Sequence, residues 1–275
     1  MDKLIIKNSR GVSNVFYYTK NRLEEISTRL VEYDILFIDS IIEEINQSLY
    51  QIAISKCNKV LKIKSGEDSK QIKNLLKVIN EIDSMNIYPI SRALVIGGGT
   101  VQDLAATCLG LIKRGTKWDF IPTSILAQCD SCIGSKTSIN SLTTKNIYGL
   151  FYAPSEIHII NSIALKQSDE DLLSGYGDAL HYLFLNPKDE YHYINNQMQE
   201  ILIKGIRNYL LSSNQVVMLA KHCHLIKKNY IEEDEFDQNK RKVLNLGHSF
   251  GHAIEKLLEY EIPHGIAVMH GIYMA

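Results

Sequence analysis

The chain has 275 residues, 45% of them hydrophobic and 22% charged, with a formal net charge of −1. That length suits two domains and buries a sizeable core without covalent staples. Near-neutral charge excludes a global attraction to nucleic acid or an anionic membrane, so an anionic ligand has to be caught by a local cationic pocket.

In chain order, Met1–Lys7 lacks the apolar run of a secretory signal, and no apolar stretch is long enough to span a bilayer. Ile35–Ile38 predicts a short strand ending in Asp39, and Val60–Ile63 a second, followed by Ser65-Gly66-Glu67-Asp68-Ser69. Ile72, Leu75, Leu76, Val78 and Ile79 recur at helical spacing. Ala93–Ile96 predicts a third strand running into Gly97-Gly98-Gly99, and Trp118–Ile121 a fourth ending at Pro122-Thr123-Ser124. Strands alternating with helices imply a parallel sheet with crossover helices. From about Gln167 helical periodicity dominates, and Ser168-Asp169-Glu170-Asp171 has the polar cap and early acids of a helix start. We therefore expect an α/β domain over residues 1–163 and an all-α domain over 164–275, with Asn186–Asn196 as an exposed helix or loop. The five cysteines, Cys57, Cys108, Cys129, Cys132 and Cys223, are too scattered for a disulfide framework and point to a reducing, cytoplasmic setting.

Several segments carry chemistry. Gly97-Gly-Gly-Thr-Val-Gln-Asp103 follows a strand; its glycines let a backbone approach a phosphate, and a following helix offers free N–H groups. The pattern is not G-x-G-x-x-G, so an ordinary dinucleotide-binding dehydrogenase fits less well. Asp39 could accept hydrogen bonds from a ribose, with a helix cap as the plain alternative. Pro122–Asn140 mixes hydroxyls with Asp130 and Lys136, a density of small polar groups that suits a polar ligand. Its Cys129-Asp-Ser-Cys132 has no second pair to complete a zinc site, so two semi-buried thiols is the better reading. On a helix, His248, His252, Glu255 and Glu259 form one polar face, while Phe250, Ala253, Ile254, Leu257 and Leu258 form an apolar face expected to pack on the core. His248, His252 and His264 favour a metal or phosphate grip over a structural role, with Asp178 as the candidate acid. Two imidazoles and a carboxylate leave a fourth position open on zinc, as catalytic zinc requires.

Taken together, these blocks resemble the 3-dehydroquinate synthase family and its sugar-phosphate cyclase relatives. The resemblance runs from about Ile35 onward and rests on Ser65-Gly-Glu67-x-x-Lys70, Gly97-Gly-Gly-x-x-x-Asp103, Arg114-Gly115, Pro122-Thr-Ser124, Asp130, Lys136, Lys145-Asn146, Gly175-x-x-Asp178, Lys227, Asp234-Glu235, Arg241-x-x-x-Asn245, Gly247-His248-x-x-Gly-His252 and His264-Gly265. It implies a Rossmann-like N-terminal domain and a helical C-terminal domain with the site between them. It also implies NAD on Asp39, Glu67, Lys70, Gly98, Gly99, Thr100, Asp103, Thr123, Ser124 and Lys145, and a divalent metal, zinc or cobalt, on Asp178, His248 and His264. Asp130, Lys136, Asn146, Lys227, Arg241, Asn245 and His252 would hold a small sugar phosphate, and Arg114 would reach a phosphate across a homodimer interface.

The activity the resemblance implies belongs to the shikimate route to aromatic amino acids. NAD oxidises one substrate hydroxyl, phosphate is eliminated, the ketone is reduced again and the enol closes by an aldol step. The sequence departs from the family in three places: Asp178 stands for a glutamate, His181 for an active-site lysine and Ile266 for a glutamate. The family also continues past the point at which this sequence stops, Ala275, which implies an incomplete C-terminal domain. His181 and Ile266 leave open a cyclase for another sugar phosphate; a metal-dependent polyol dehydrogenase of the same fold and, through His181 and the missing C-terminal helices, an impaired relative that keeps NAD are the further alternatives. A neutral His181 is expected to donate a hydrogen bond to a substrate hydroxyl or, more plainly, to pack on Tyr182 or Phe184.

Overall fold

A computed structural model describes residues 2–18, 23–185, 196, 200–201, 204–211, 214–259 and 261–275. The chain divides into two compact units, Met1–Thr123 with Cys132–Ile160, and Ser124–Ser131 with Asn161–Ala275. The second unit therefore recruits an eight-residue excursion that an unbroken boundary at 163/164 leaves with the first. Most of Asn186–Asn196 lies outside the described residues.

The first unit is built on a seven-stranded sheet in the order β1-β2-β7-β6-β5-β3-β4. The strands are β1 (Asp2–Asn8), β2 (Gly11–Tyr18), β3 (Tyr33–Asp39), β4 (Cys57–Ile63), β5 (Arg92–Gly97), β6 (Lys117–Pro122) and β7 (Glu156–Ile160). β1 and β2 form an antiparallel hairpin, and every other neighbouring pair is parallel. The four expected strands are β3 to β6. Their continuous apolar runs, Ile35–Ile38 and Ala93–Ile96, are buried, as parallel strands covered on both faces must be. β1, β2 and β7 have no counterpart among the sequence expectations. β1 is an exposed edge with little apolar signal, and the Ile157–Ile160 run sits where the chain turns helical.

Helices α1 (Leu23–Arg29), α2 (Ile42–Ile45), α3 (Gln47–Ile54), α4 (Ile72–Ser84) and α5 (Gly99–Leu111) complete this unit. In α4 the buried stripe is Leu75, Val78 and Ile82, while Leu76, expected on that face, is 57% exposed. The chain leaves β3 through α2 and α3 for β4 on one side, and leaves β5 through α5 for β6 on the other. The carboxyl ends of β3 and β5 therefore flank a topological switch point, where open α/β sheets bind ligands.

Among the described residues, the second unit contains helices α6 (Asn161–Ala164), α7 (Asp169–Phe184), α8 (Ile206–Leu211), α9 (Gln215–Glu233), α10 (His248–Leu257) and α11 (His264–Met274). Ser168 caps α7 as expected, its hydroxyl accepting the Asp171 N–H at 3.1 Å. α11 packs against both α7 and α10, and the contacts are glycine-lined. A Cβ on Gly265 would lie 1.7 Å from the Ser174 carbonyl oxygen, and one on Gly271 2.0 Å from that of Gly247, so only glycine permits this approach.

The expected apolar face of α10 is not in the core. Phe250, Leu257 and Leu258 are 44%, 81% and 48% exposed, whereas Gly251 and Glu255 are buried. The small side of the helix turns inward because α11 lies too close for Phe or Leu; a Cβ on Gly251 already sits 3.1 Å from Val268. Glu259 lies past the end of the helix at φ 49°, so the polar face stops short of it. No described helix is long and apolar enough to cross a membrane.

Candidate active site

In the first unit, strand register brings the chemistry to one edge. Asp39 pairs with Ile63, Ile38 with Ile96 and Gly97 with Pro122, so these strand ends lie level and the loops after them emerge together. Gly98 precedes α5 with no side chain capping the helix, which leaves that N-terminus to an anion. Asp39 is buried, and one of its oxygens accepts the Ile41 N–H at 3.3 Å. Thr123, also buried, donates its N–H to the Gly97 carbonyl at 3.0 Å, and the Thr100 hydroxyl accepts the Gly66 N–H at 3.2 Å.

Around the same α5 terminus runs a hydrogen-bonded chain. The buried Lys70 ammonium donates to Ser138 Oγ at 2.9 Å and Asn146 Oδ1 at 2.8 Å and pairs with Asp103 Oδ2 at 2.8 Å. Asp103 also accepts the Ser138 N–H and hydroxyl at 3.0 and 2.8 Å. Asn140 links Asn146 to Glu67, accepting from the first at 2.7 Å and donating to the second at 2.7 Å. Four expected ligand residues, Glu67, Lys70, Asp103 and Asn146, are thus braced together through Ser138 and Asn140, which the motifs did not single out. Burial raises the Asp103 carboxyl above the ordinary range, against the pull of Lys70. Lys136 and Lys145 are exposed. Arg114 is also exposed, at φ 65° directly after Lys113 at φ 49°, two consecutive left-handed residues of the kind that functional loops hold. A cavity of about 550 Å³ lies beside β4 and α4, and of the expected NAD residues only Glu67 lines it.

In the second unit Asp178, His248 and His264 come together although 86 residues separate the first from the last. Their ligand atoms lie within 4.8 Å of one another. His248 Nε2 is 3.3 Å and His264 Nε2 3.8 Å from Asp178 Oδ1. That oxygen is buried with no hydrogen-bond partner, which a carboxylate tolerates only if a cation or proton is meant for it. His248 Nδ1 sits 3.3 Å from the Leu246 carbonyl, which can only accept, so Nδ1 carries a proton and Nε2 is the nitrogen left to face Asp178 or a metal. The donor set of two imidazoles and one carboxylate fits a divalent metal. Burial alone would raise Asp178, but the neighbouring His248 and His181 bring it below the ordinary carboxylate range.

Next to this cluster, Asp130 holds Lys227, whose Nζ donates to Asp130 Oδ1 at 2.6 Å and to its carbonyl at 2.7 Å. The Tyr182 hydroxyl donates to the same Oδ1. Burial opposes ionisation of Asp130, but the Lys227 ammonium wins and depresses the carboxyl strongly. Arg241 is buried, with Nη1 donating to the Glu235 carbonyl and its N–H to Asp234 at 3.1 Å. Asn245 and His252 are exposed, and Ser124 accepts the Ala127 N–H at 3.1 Å.

His181 does face the cluster, its ring 5.3 Å from that of His248, and it also packs on Tyr182 at 3.9 Å. Its Nδ1 bonds the Asp178 carbonyl, so Nδ1 is the protonated nitrogen. The expected hydrogen-bond donation to a substrate is therefore replaced by an acceptor: Nε2 is buried and has no partner. Burial pushes its pKa down. Tyr182 escaped the sequence reading because nothing local marks a tyrosine that meets an acid 52 residues away.

Comparison with known proteins places these two units in one class. The fold matches that of 2-deoxy-scyllo-inosose synthase in complex with carbaglucose-6-phosphate, NAD+ and Co2+, with a TM-score of 0.85 at 20% identity over 98% of this chain and 73% of that one. An iron-containing alcohol dehydrogenase from Thermotoga maritima is more distant, with a TM-score of 0.61 at 16% identity over 94% of this chain and 81% of that one. Residues 60–173 match the 3-dehydroquinate synthase N-terminal family and residues 175–275 its C-terminal counterpart. The chain is 32% identical to 3-dehydroquinate synthase of Staphylococcus epidermidis over 98% of its own length and 71% of the relative's. It is 33% identical to that of Pyrococcus abyssi over 87% of its length and 66% of the relative's. It belongs to the 3-dehydroquinate synthase family. It spans 55–76% of the length of the first four curated relatives, those from Pyrococcus abyssi, Alkaliphilus metalliredigens, Blochmanniella floridana and Bartonella tribocorum.

Proposed function

We propose that this protein cyclises a seven-carbon keto-sugar phosphate acid to 3-dehydroquinate with loss of phosphate, using NAD and one divalent metal without net redox. The observation that carries the reading is the orphaned, buried Asp178 Oδ1 facing Nε2 of both His248 and His264, in a chain of this family. The metal would polarise the hydroxyl being oxidised, and NAD would take a hydride and return it. NAD would sit at the switch point, with its pyrophosphate at the N-terminus of α5 on Gly98, Gly99 and Thr100 and its ribose near Asp39. Glu67, Lys70, Asp103, Thr123, Ser124 and Lys145 would complete that site.

The remaining residues bind and orient. Asp130 and Tyr182 hold Lys227 in place, and two of the three Lys227 donors are occupied on Asp130, which leaves one for a substrate anion. Arg241, fixed by Asp234 and Glu235, supplies a second cation, with Lys136, Asn146, Asn245 and His252 as further contacts. Exposed Arg114 suits a phosphate bound by a second copy of the chain, so a homodimer is part of the proposal. The free thiols, four of them buried, suit a reducing cytoplasm.

The test is phosphate release from the seven-carbon precursor in the presence of NAD and zinc or cobalt, with no accumulation of NADH. Asp178→Asn is expected to lower the rate by at least about 100-fold, as loss of a metal ligand does. Net NADH formation would overturn cyclisation in favour of a polyol dehydrogenase. One observation favours a second substrate: His181 offers a neutral acceptor where the family has a cation. Faster phosphate release from a sugar phosphate without a carboxylate would identify a cyclase for that sugar.

A further inference from the structure

We propose that Glu255 orients His264 as a metal ligand, by holding Nδ1 so that the Nε2 lone pair faces Asp178. The inference rests on the metal site proposed above. A neutral imidazole has two tautomers, and the partner of one ring nitrogen decides which nitrogen is left to bind metal. His264 begins α11 and its side chain is 33% exposed, so packing alone does not hold its ring. Glu255 Oε2 lies 3.3 Å from His264 Nδ1, and Nε2 then points to Asp178 Oδ1 at 3.8 Å. A carboxylate only accepts, so a hydrogen bond at this contact requires the proton on Nδ1. His248 is held in the same sense, with a backbone carbonyl in place of the carboxylate.

The placement of Glu255 is a second, independent observation. On α10 the charged Glu255 is buried, at the position where the helix meets α11. A buried carboxylate costs stability unless it is partnered, and the partner here is His264. His252, Glu255 and His264 could also chelate an ion themselves. The Asp178 group is favoured because Nε2 of both His248 and His264 lies near its buried oxygen, whereas His252 of the other group is exposed.

The experiment measures zinc affinity by competition with a chromophoric chelator, the visible spectrum of the cobalt form, and 15N shifts of His264 in the metal-free protein. Glu255→Met keeps the side-chain length and removes the acceptor, whereas Glu255→Gln keeps an acceptor oxygen. Glu255→Met is expected to bind zinc roughly 10–100-fold more weakly and to alter the cobalt spectrum, with Glu255→Gln within about threefold of the parent. Wild-type His264 is expected to be protonated at Nδ1 and to shift toward Nε2–H in Glu255→Met. Parental affinity in Glu255→Met, with zinc lost in Asp178→Asn, would overturn the Glu255 proposal and leave the metal site standing. Parental affinity in Asp178→Asn would overturn the metal site itself, and zinc lost only in Glu255→Met would move the ion to the His252 group. Should Glu255→Met not fold, the wild-type shifts still decide: an Nε2–H tautomer overturns the proposal.

Discussion

At the scale of single residues, His181 sets this chain apart from the family pattern. Its Nδ1 is committed to the Asp178 carbonyl, and its buried Nε2 is an acceptor without a partner. A lysine there would place a permanent cation beside the metal group, whereas the buried imidazole stays neutral because burial lowers its pKa. His181→Lys is therefore expected to raise turnover on the seven-carbon precursor by about tenfold, since one preorganised donor contributes at least that much, and His181→Ala, which removes the acceptor, to lower it. Steady-state phosphate release checks this, and unchanged rates in both variants would remove His181 from the chemistry. The residues of the proposed metal group could be picked out one by one, because histidines beside glycines and an acid after Gly-Tyr-Gly are local signals. Tyr182 and Glu255 were not, because each acts by meeting a side chain that only the fold brings near.

At the scale of elements, the proposed metal group depends on how closely α11 approaches α7 and α10. Asp178 lies on α7, His248 opens α10 and His264 opens α11, so a shift of one helix separates the ligands. The Gly265 N–H donates to Ser174 Oγ at 3.0 Å, and its Cα rests on the α7 backbone. Gly265→Ala would drive a methyl into the Ser174 carbonyl, which has no flexible end to yield. We expect a loss of about 2–4 kcal/mol in chemical denaturation, the scale of severe overpacking, together with weaker zinc binding. Retention of parental stability and zinc affinity would show that the helices can separate without consequence. Helical periodicity located α10, but the face that meets α11 is its glycine side, because that contact is decided by backbone clearance.

At the scale of the whole molecule, each unit buries a histidine kept neutral by its surroundings. His158 in β7 is fully buried, bonded to the Tyr18 hydroxyl at 3.0 Å, and His224 in α9 is equally buried. Burial pushes both down to about 3, with nearby cations adding to the effect. In the unfolded chain each titrates near 6.5, so between that value and 3 the unfolded state binds more protons and stability falls as pH falls. Each contributes a slope of up to about 1.4 kcal/mol per pH unit in that window. Urea midpoints followed from pH 7 to 5 should drop, and the double variant His158→Gln, His224→Gln should flatten the drop. A wild-type midpoint that does not move would contradict neutral burial. If NAD binds the strand ends and loops proposed for it, it should raise the melting temperature by mass action, and no shift at millimolar NAD would count against the cofactor.

The sequence by itself determined the alternation of strands and helices, the glycine turn after β5 and the residue types of the candidate sites in each unit. These are matters of local periodicity and backbone permissiveness, which a chain carries wherever it goes. Tertiary structure decided the rest. Parallel pairing levelled Asp39 with the strand ends beside it, and glycine contacts brought Asp178, His248 and His264 within 4.8 Å of one another. The excursion at 124–131 joined Asp130 to Lys227, 97 residues later. Which imidazole nitrogen carries a proton, and whether a lysine is free or already held, depends on partners distant in the chain, and only the folded backbone selects those partners.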